Sequence, residues 1–324
     1  MFLMWNSTMF IDGGGDANVE TSMLEASNLV VLRVGPGSVL RGPLENATTD
    51  AVTPKLNCEL QRCPLELLHP PEDCNVNASL SFTLQICRVE DILVEGLIEG
   101  SVVHFHRART IAVQSLGAIS ASGMGICIYL LYIPVAWVAW VEEKFLSSGL
   151  GSGGGHGGKG GAGCYNGSCI EGGITYGDPN LPCELGSGSG NESFTGSTAG
   201  GGIIGELDLM GSREHPLSSL FVEGSVASDG ESYGENNRKK DSSIAPVWSA
   251  GPGGGSGGTI LAFLSSLNVN ESGILSSAGG HGSQNGGGGG GGRIHFHWSD
   301  IPTGDVYQPI ASVKGNIHTR FALF

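Results

Sequence analysis

The chain has 324 residues and a net charge of −15, from 16 Lys and Arg against 31 Asp and Glu, so it lacks the clustered basic surface that displaces counterions from nucleic acid. Hydrophobic residues reach 40 % and charged residues only 15 %, which permits a sizeable core. Glycine supplies 56 residues, far above the usual ~7 %, and most of the excess follows residue 148.

Met1 to Trp5 is too short and too uncharged for a secretory leader. Six Asn-x-Ser/Thr sequons nevertheless occur, at Asn6, Asn46, Asn77, Asn166, Asn191 and Asn270, a pattern that points to export. The two facts together predict an internal piece of a longer secreted precursor. The cysteines agree. Cys58, Cys63, Cys74 and Cys87 form one cluster and Cys164, Cys169 and Cys183 a second, and no spacing fits a zinc site. Two disulfides are expected in the first cluster, with three connectivities open. In the second, the odd cysteine pairs with Cys127 or stays reduced.

A short apolar pattern recurs along the chain. It reads Ile92-Leu-Val94-Glu-Gly96-Leu-Ile98, then Ile111 to Ile119, Leu220 to Val226, and Leu267 to Val269 with Gly273 to Leu275. A degenerate copy spans Leu29 to Leu40, and Val313 to Ile317 is an echo near the end. Alternation with a period of two predicts strands. The spacing of the first two full copies suits one turn of a stacked coil. The fold expected is all-β, a right-handed parallel β-helix (a pectin-lyase-like solenoid) with long Gly-rich loops. A β-sandwich is the competitor.

Two His pairs fall within such strands, His104 and His106 in VVHFH and His295 and His297 in RIHFHW. Period-two geometry puts Val103 and Phe105, and likewise Ile294 and Phe296, on the core face and both His of each pair on the other, facing outward to solvent or under a loop. They are weak metal candidates, since no third ligand is fixed by spacing, although Asp300 and the glycine-flanked His156 and His281 are candidates for it. No cofactor is expected. Gly153 to Lys159 fits GxxxxGK, but Gly160 replaces the Ser or Thr that a phosphate loop needs for magnesium. No catalytic motif is recognisable, so an enzyme is the less favoured reading.

Ile126 to Val141 is uncharged and rich in Trp and Tyr, yet Pro134 interrupts it and its apolar part is short for a bilayer. It reads as a non-native insertion, a membrane span or a buried element. The blocks that follow, beginning with GSGGGHGGKGGAG (151–163), have no side chains to bury and are expected to be loops or flexible connections. Three regions result: 1–125 with the Cys cluster, the apolar segment 126–146, and the Gly-rich region 147–324.

The runs Arg88–Ser115, Ser147–Gly161 and Gly290–Gly315, together with Leu56–Asn77 and Leu181–Asn191, resemble the large plant glycine-rich membrane proteins, often labelled ephrin type-B-receptor-like. The resemblance implies a surface protein reached by the secretory pathway, with its signal upstream of this chain and membrane spans downstream, and it implies no kinase. The chain departs from the family pattern between Leu32 and Gly35, after Cys127, and after Arg320. The function expected is an extracytoplasmic scaffold or recognition region. A carbohydrate-active or carbohydrate-binding β-helix and a non-functional gene-model fragment are the alternatives. No partner is identified; cell-wall polysaccharide or an extracellular protein fits the compartment.

Overall fold

A computed structural model describes residues 7–12, 14, 17–21, 23–42, 84–106, 108–125, 151–180, 182, 184–189, 198–207, 219–234, 251–298 and 310–322. The described residues are all-β and contain no helix. In chain order the strands are β1 (Ser7–Ile11), β2 (Asn18–Glu20), β3 (Met23–Val34), β4 (Val39–Arg41), β5 (Leu84–Val94), β6 (Leu97–Glu99), β7 (Val102–His106), β8 (Thr110–Val113), β9 (Ala118–Ser120), β10 (Gly163–Tyr165), β11 (Ser168–Ile170), β12 (Ile203–Leu207), β13 (Ser219–Val222), β14 (Ser225–Ala227), β15 (Thr259–Leu264), β16 (Ser266–Val269), β17 (Ile274–Ser276), β18 (Arg293–Trp298), β19 (Ile310–Val313) and β20 (Asn316–His318).

They form two curled parallel sheets. One has eleven strands and contains the order β18-β15-β12-β7-β5-β8-β13-β16-β19, with β3 and β1 joined through β5; the other has seven, ordered β2-β4-β6-β9-β14-β17-β20. Each cycle of the chain repeats one itinerary, as in β7–β8–β9, β12–β13–β14, β15–β16–β17 and β18–β19–β20. A single strand, β5, covers the first two stations. Its first half pairs with β7 and its second half with β8, and Arg88, with φ of 57°, lies between the halves, in a conformation few side chains adopt.

The recurring sequence pattern is the register of these sheets. Leu32, Ile92, Ile111, Leu220 and Leu267 are successive partners, and so are Val34, Val94, Val113, Val222 and Val269. In the second sheet Leu40, Ile98, Ile119, Val226 and Leu275 align in the same way. All fifteen lie in one buried cluster with Val103 and Phe105, against which Ile294 and Phe296 pack. Burying each such side chain contributes about 1.5–3 kcal/mol. The turn glycine of the pattern has a steric cause. A Cβ at Gly117 would strike the Val94 carbonyl of the preceding cycle, and one at Gly224 the Gly117 carbonyl.

The strands before and after the apolar segment share these sheets, β8 pairing with β13 and β9 with β14. Ile126–Val141 itself lies outside the described residues, among which no helix is long and apolar enough to cross a membrane.

The glycine blocks depart from expectation. They are buried and hydrogen-bonded, not loose loops. The row 251–258 shows the principle. The N–H groups of Gly254 and Gly257 donate to Gly287 and Gly290, those of Gly255 and Gly258 to Glu231 and Ser228, and that of Ser256 to Ser187. The bonding direction thus repeats every three residues, as in a polyproline-II-type extended helix, which has three residues per turn and no internal hydrogen bonds. The same period recurs where Gly287 and Gly290 donate to Gly151 and Gly154, and where Gly289 and Gly292 donate to Gly280 and Ser277. The row 251–258 is therefore enclosed by the rows at 151–154, 187, 201–202, 228–231, 280 and 287–290. A Cβ at Gly254 would collide with the Gly280 carbonyl, and one at Gly255 with that of Ala199. Lacking side chains, these segments approach closely enough to satisfy one another's peptide groups. The backbone itself is the packing material, and the polar groups that would make a buried loop costly are paired.

Candidate functional site

The two His pairs occupy equivalent positions in the large sheet. Gln85, His104, Gly205, Leu261 and His295 form one ladder column; two residues further on, Cys87, His106 and Leu207 align, as do Phe263 and His297. The repeated HFH motif is therefore the coil repeat seen three cycles apart. Strands β12 and β15 stand between β7 and β18, which separates the pairs by roughly 14 Å at the usual strand spacing. They cannot share one ion. Among the described residues no group of three or more His, Cys, Asp or Glu could hold a metal.

The orientation expected from alternation holds for this pair. Val103 and Phe105 face the core. His104 and His106 lie on the opposite face, where they are covered and only 1 % and 2 % exposed. That face is covered as well, and Val102, two residues before His104, packs there in a second cluster with Leu185 and Ile203. Burial, reinforced by neighbouring His106, lowers the pKa of His104 to about 3. The imidazole is neutral in the folded protein at physiological pH. The rings of His104 and His106 lie 6.0 Å apart. On β18, near the open edge of the sheet, His295 is partly covered and His297 exposed. Partial burial and His297 lower the pKa of His295, while Asp178 opposes the shift. The His297 ring lies 5.0 Å from that of Phe263 in a tilted arrangement.

His156, a metal-ligand candidate by sequence, has another place. It is fully buried within the glycine rows. Its Nδ1–H donates to the Gly257 carbonyl at 2.8 Å. Its Nε2 lies 4.0 Å from Glu184 Oε2, and its ring packs 4.9 Å from Tyr176. The Tyr176 hydroxyl donates to the Leu185 carbonyl, and Arg293 donates to the Tyr176 carbonyl. Burial raises the Tyr176 pKa, so the phenol keeps its proton. These side chains tie the glycine rows to β18. Sequence reasoning missed the cluster because its members are scattered over 137 positions between His156 and Arg293. The one available signal was a lone imidazole in a glycine run. His281, the other glycine-flanked candidate, is exposed, and Asp300 lies outside the described residues.

Of the cysteines, Cys164 and Cys169 form a disulfide across the antiparallel hairpin β10–β11. Asn166 and Gly167 turn the hairpin with φ of 48° and 80°. Cys87 is buried in β5. Cys58, Cys63, Cys74, Cys127 and Cys183 lie outside the described residues, as do the sequons at Asn6, Asn46, Asn77 and Asn191. Asn166 and Asn270 are both exposed. Closing so short a loop is worth about 2 kcal/mol at most. We expect Cys164→Ser to lower stability by no more than that, as read from denaturant midpoints, with the sheets left intact.

No family model, curated protein or solved structure matches this chain.

Proposed function

We propose that the chain is a non-catalytic extracytoplasmic scaffold or recognition region of a plant glycine-rich surface membrane protein. Its frame is a right-handed parallel β-helix whose Gly-rich excursions are condensed into a bundle instead of looping freely. The itinerary of the chain carries the reading. Each cycle visits the same stations, pairs in parallel with the cycle before, and leaves for a glycine row at the same corner, after β9, β14 and β17. Parallel crossovers are right-handed in nearly all proteins.

Charged side chains on these strands serve the frame. Arg33 pairs with Glu95 at 2.6 Å, Arg41 with Glu99 at 3.2 Å and Arg109 with Asp91 at 2.6 Å, each tying one cycle to the next. An exposed disulfide-bonded hairpin with a sequon at its tip suits an oxidising compartment. The resemblance to the plant family points the same way.

The test is to direct the chain into the secretory pathway of plant cells with a heterologous leader. We expect glycans on Asn166 and Asn270, detected by deglycosylation and peptide mapping. We also expect no release of reducing ends from pectin or xylan. Unmodified Asn166 and Asn270 in secreted protein would remove the compartment argument. Polysaccharide cleavage would replace the scaffold by the carbohydrate-active reading.

A further inference from the structure

The two HFH motifs share a spacing and differ in access. On a strand, side chains at i and i+2 share a face about 6.6 Å apart. Two imidazoles so placed can offer one ring nitrogen each to a single ion. His104 and His106 are sealed from solvent at 1 % and 2 % exposure. On β18 the corresponding face is accessible, with His297 exposed and His295 partly so. Their rings lie 6.4 Å apart and 28° from parallel. Nitrogens at about 2.0–2.1 Å from one ion would bring the ring centres to roughly 5 Å. A turn of the exposed His297 side chain closes that gap.

The surroundings favour a cation. Arg293, two residues before His295, lies on the same face of β18. Its guanidinium donates to the carbonyls of Tyr176 and Gly177. These bonds hold the turn carrying Asp178 beside the strand. Asp178 is exposed, and its charge acts on His295 in the sense that favours a positive ring. The same field favours a metal ion bound to that ring. Buried Phe263 packs against His297 and makes one wall of the site apolar. Among the described residues no group of three or more His, Cys, Asp or Glu could hold a metal. Asp178 therefore contributes charge and not a bond, and water completes the coordination.

The donor set selects the ion. Calcium and magnesium take oxygen ligands. Imidazole suits copper, zinc and nickel, and among first-row divalent ions a given nitrogen site binds Cu(II) most tightly. We propose that His295 and His297 form a bidentate, solvent-accessible site for a borderline divalent cation, Cu(II) ahead of Zn(II), strengthened by the charge of Asp178. The proposal is independent of the compartment and scaffold reading above.

The test is calorimetric titration of the full chain with copper(II) sulfate in a non-coordinating buffer, with electron paramagnetic resonance of the one-equivalent complex. Wild type should bind one equivalent in the micromolar range, more tightly than it binds zinc(II) sulfate, and its spectrum should show splitting from two imidazole nitrogens. His295→Ala and His297→Ala should each weaken binding by about tenfold or more, because a lone imidazole loses the advantage of a linked second ligand. His281→Ala removes an exposed imidazole elsewhere and should change nothing. Asp178→Asn should weaken binding by about twofold to fivefold, the difference narrowing in high salt. Circular dichroism checks the fold of each variant. Wild-type binding no tighter than that of His297→Ala overturns the site. So does a spectrum with one nitrogen, or an equal loss in His281→Ala. Tighter binding of zinc overturns the choice of ion, and an affinity unmoved by Asp178→Asn overturns the part given to its charge.

Discussion

Replacing Gly255 by alanine is expected to cost about 2–3 kcal/mol, while Gly205→Ala stays within about 1 kcal/mol of the parent. The two glycines differ in what surrounds them. Gly255 sits in the enclosed row 251–258, donates to the Glu231 carbonyl and accepts from Gly280. An added methyl would meet the Ala199 carbonyl inside van der Waals contact. That neighbour is backbone, held by its own row, and cannot rotate away as a side chain would. Gly205 lies in β12, where a Cβ would find only His104 Cδ2, at 3.9 Å. Chemical denaturation of both variants decides the matter. Equal midpoints would mean that the rows separate freely and act as the loops that glycine content alone suggests. A large, selective loss at Gly255 marks a bundle whose cohesion is the peptide group.

The second large effect concerns acid. His104 is buried and neutral, with its pKa lowered from 6.5 to about 3. The unfolded chain therefore binds a proton at this position before the folded protein does. The stability linked to His104 is fully present above pH 6.5 and is lost as the pH falls from there toward 3. At ~1.4 kcal/mol per pH unit the loss reaches on the order of 5 kcal/mol by the acid end. His106 lies beside it, its ring 6.0 Å away, and Cys87 is the partner of His106 on β5. His104→Leu should flatten this part of the pH profile, seen as converging urea midpoints for variant and parent between pH 7 and pH 4. Parallel profiles would show that His104 is not the group responsible. A solvent-exposed imidazole at this position would give no such dependence.

These two cases mark how far the sequence reached. Apolar alternation was sufficient to place Ile92, Val94, Ile98, Ile111, Val113, Val222 and Val269 in one core, because side chains on a strand alternate faces whatever the surroundings. The turn glycines of the repeat were equally legible, since a recurring Gly beside a recurring Val marks one corner met again and again. The pairing of HFH at 104–106 with HFH at 295–297 was visible as a repeated word. Its two columns emerged only when β12 and β15 were seen between them.

Burial of the second sheet face was not legible. Alternation reports which side chains share a face and is silent about what covers it, so it placed His104 and His106 away from the core without deciding between solvent and a cover; Val102, Leu185 and Ile203 pack on that side. The glycine rows were hidden for a related reason. A core made of side chains leaves a hydrophobic signature in sequence, whereas a core made of peptide groups leaves none. Its rows are stabilised by partners such as Gly254 with Gly287 or Gly290 with Gly154, which lie far apart in the chain. Composition fixed the compartment expectation, the strand pattern and the absence of side chains. Only the tertiary arrangement decided that those bare segments would find one another at hydrogen-bonding distance every third residue.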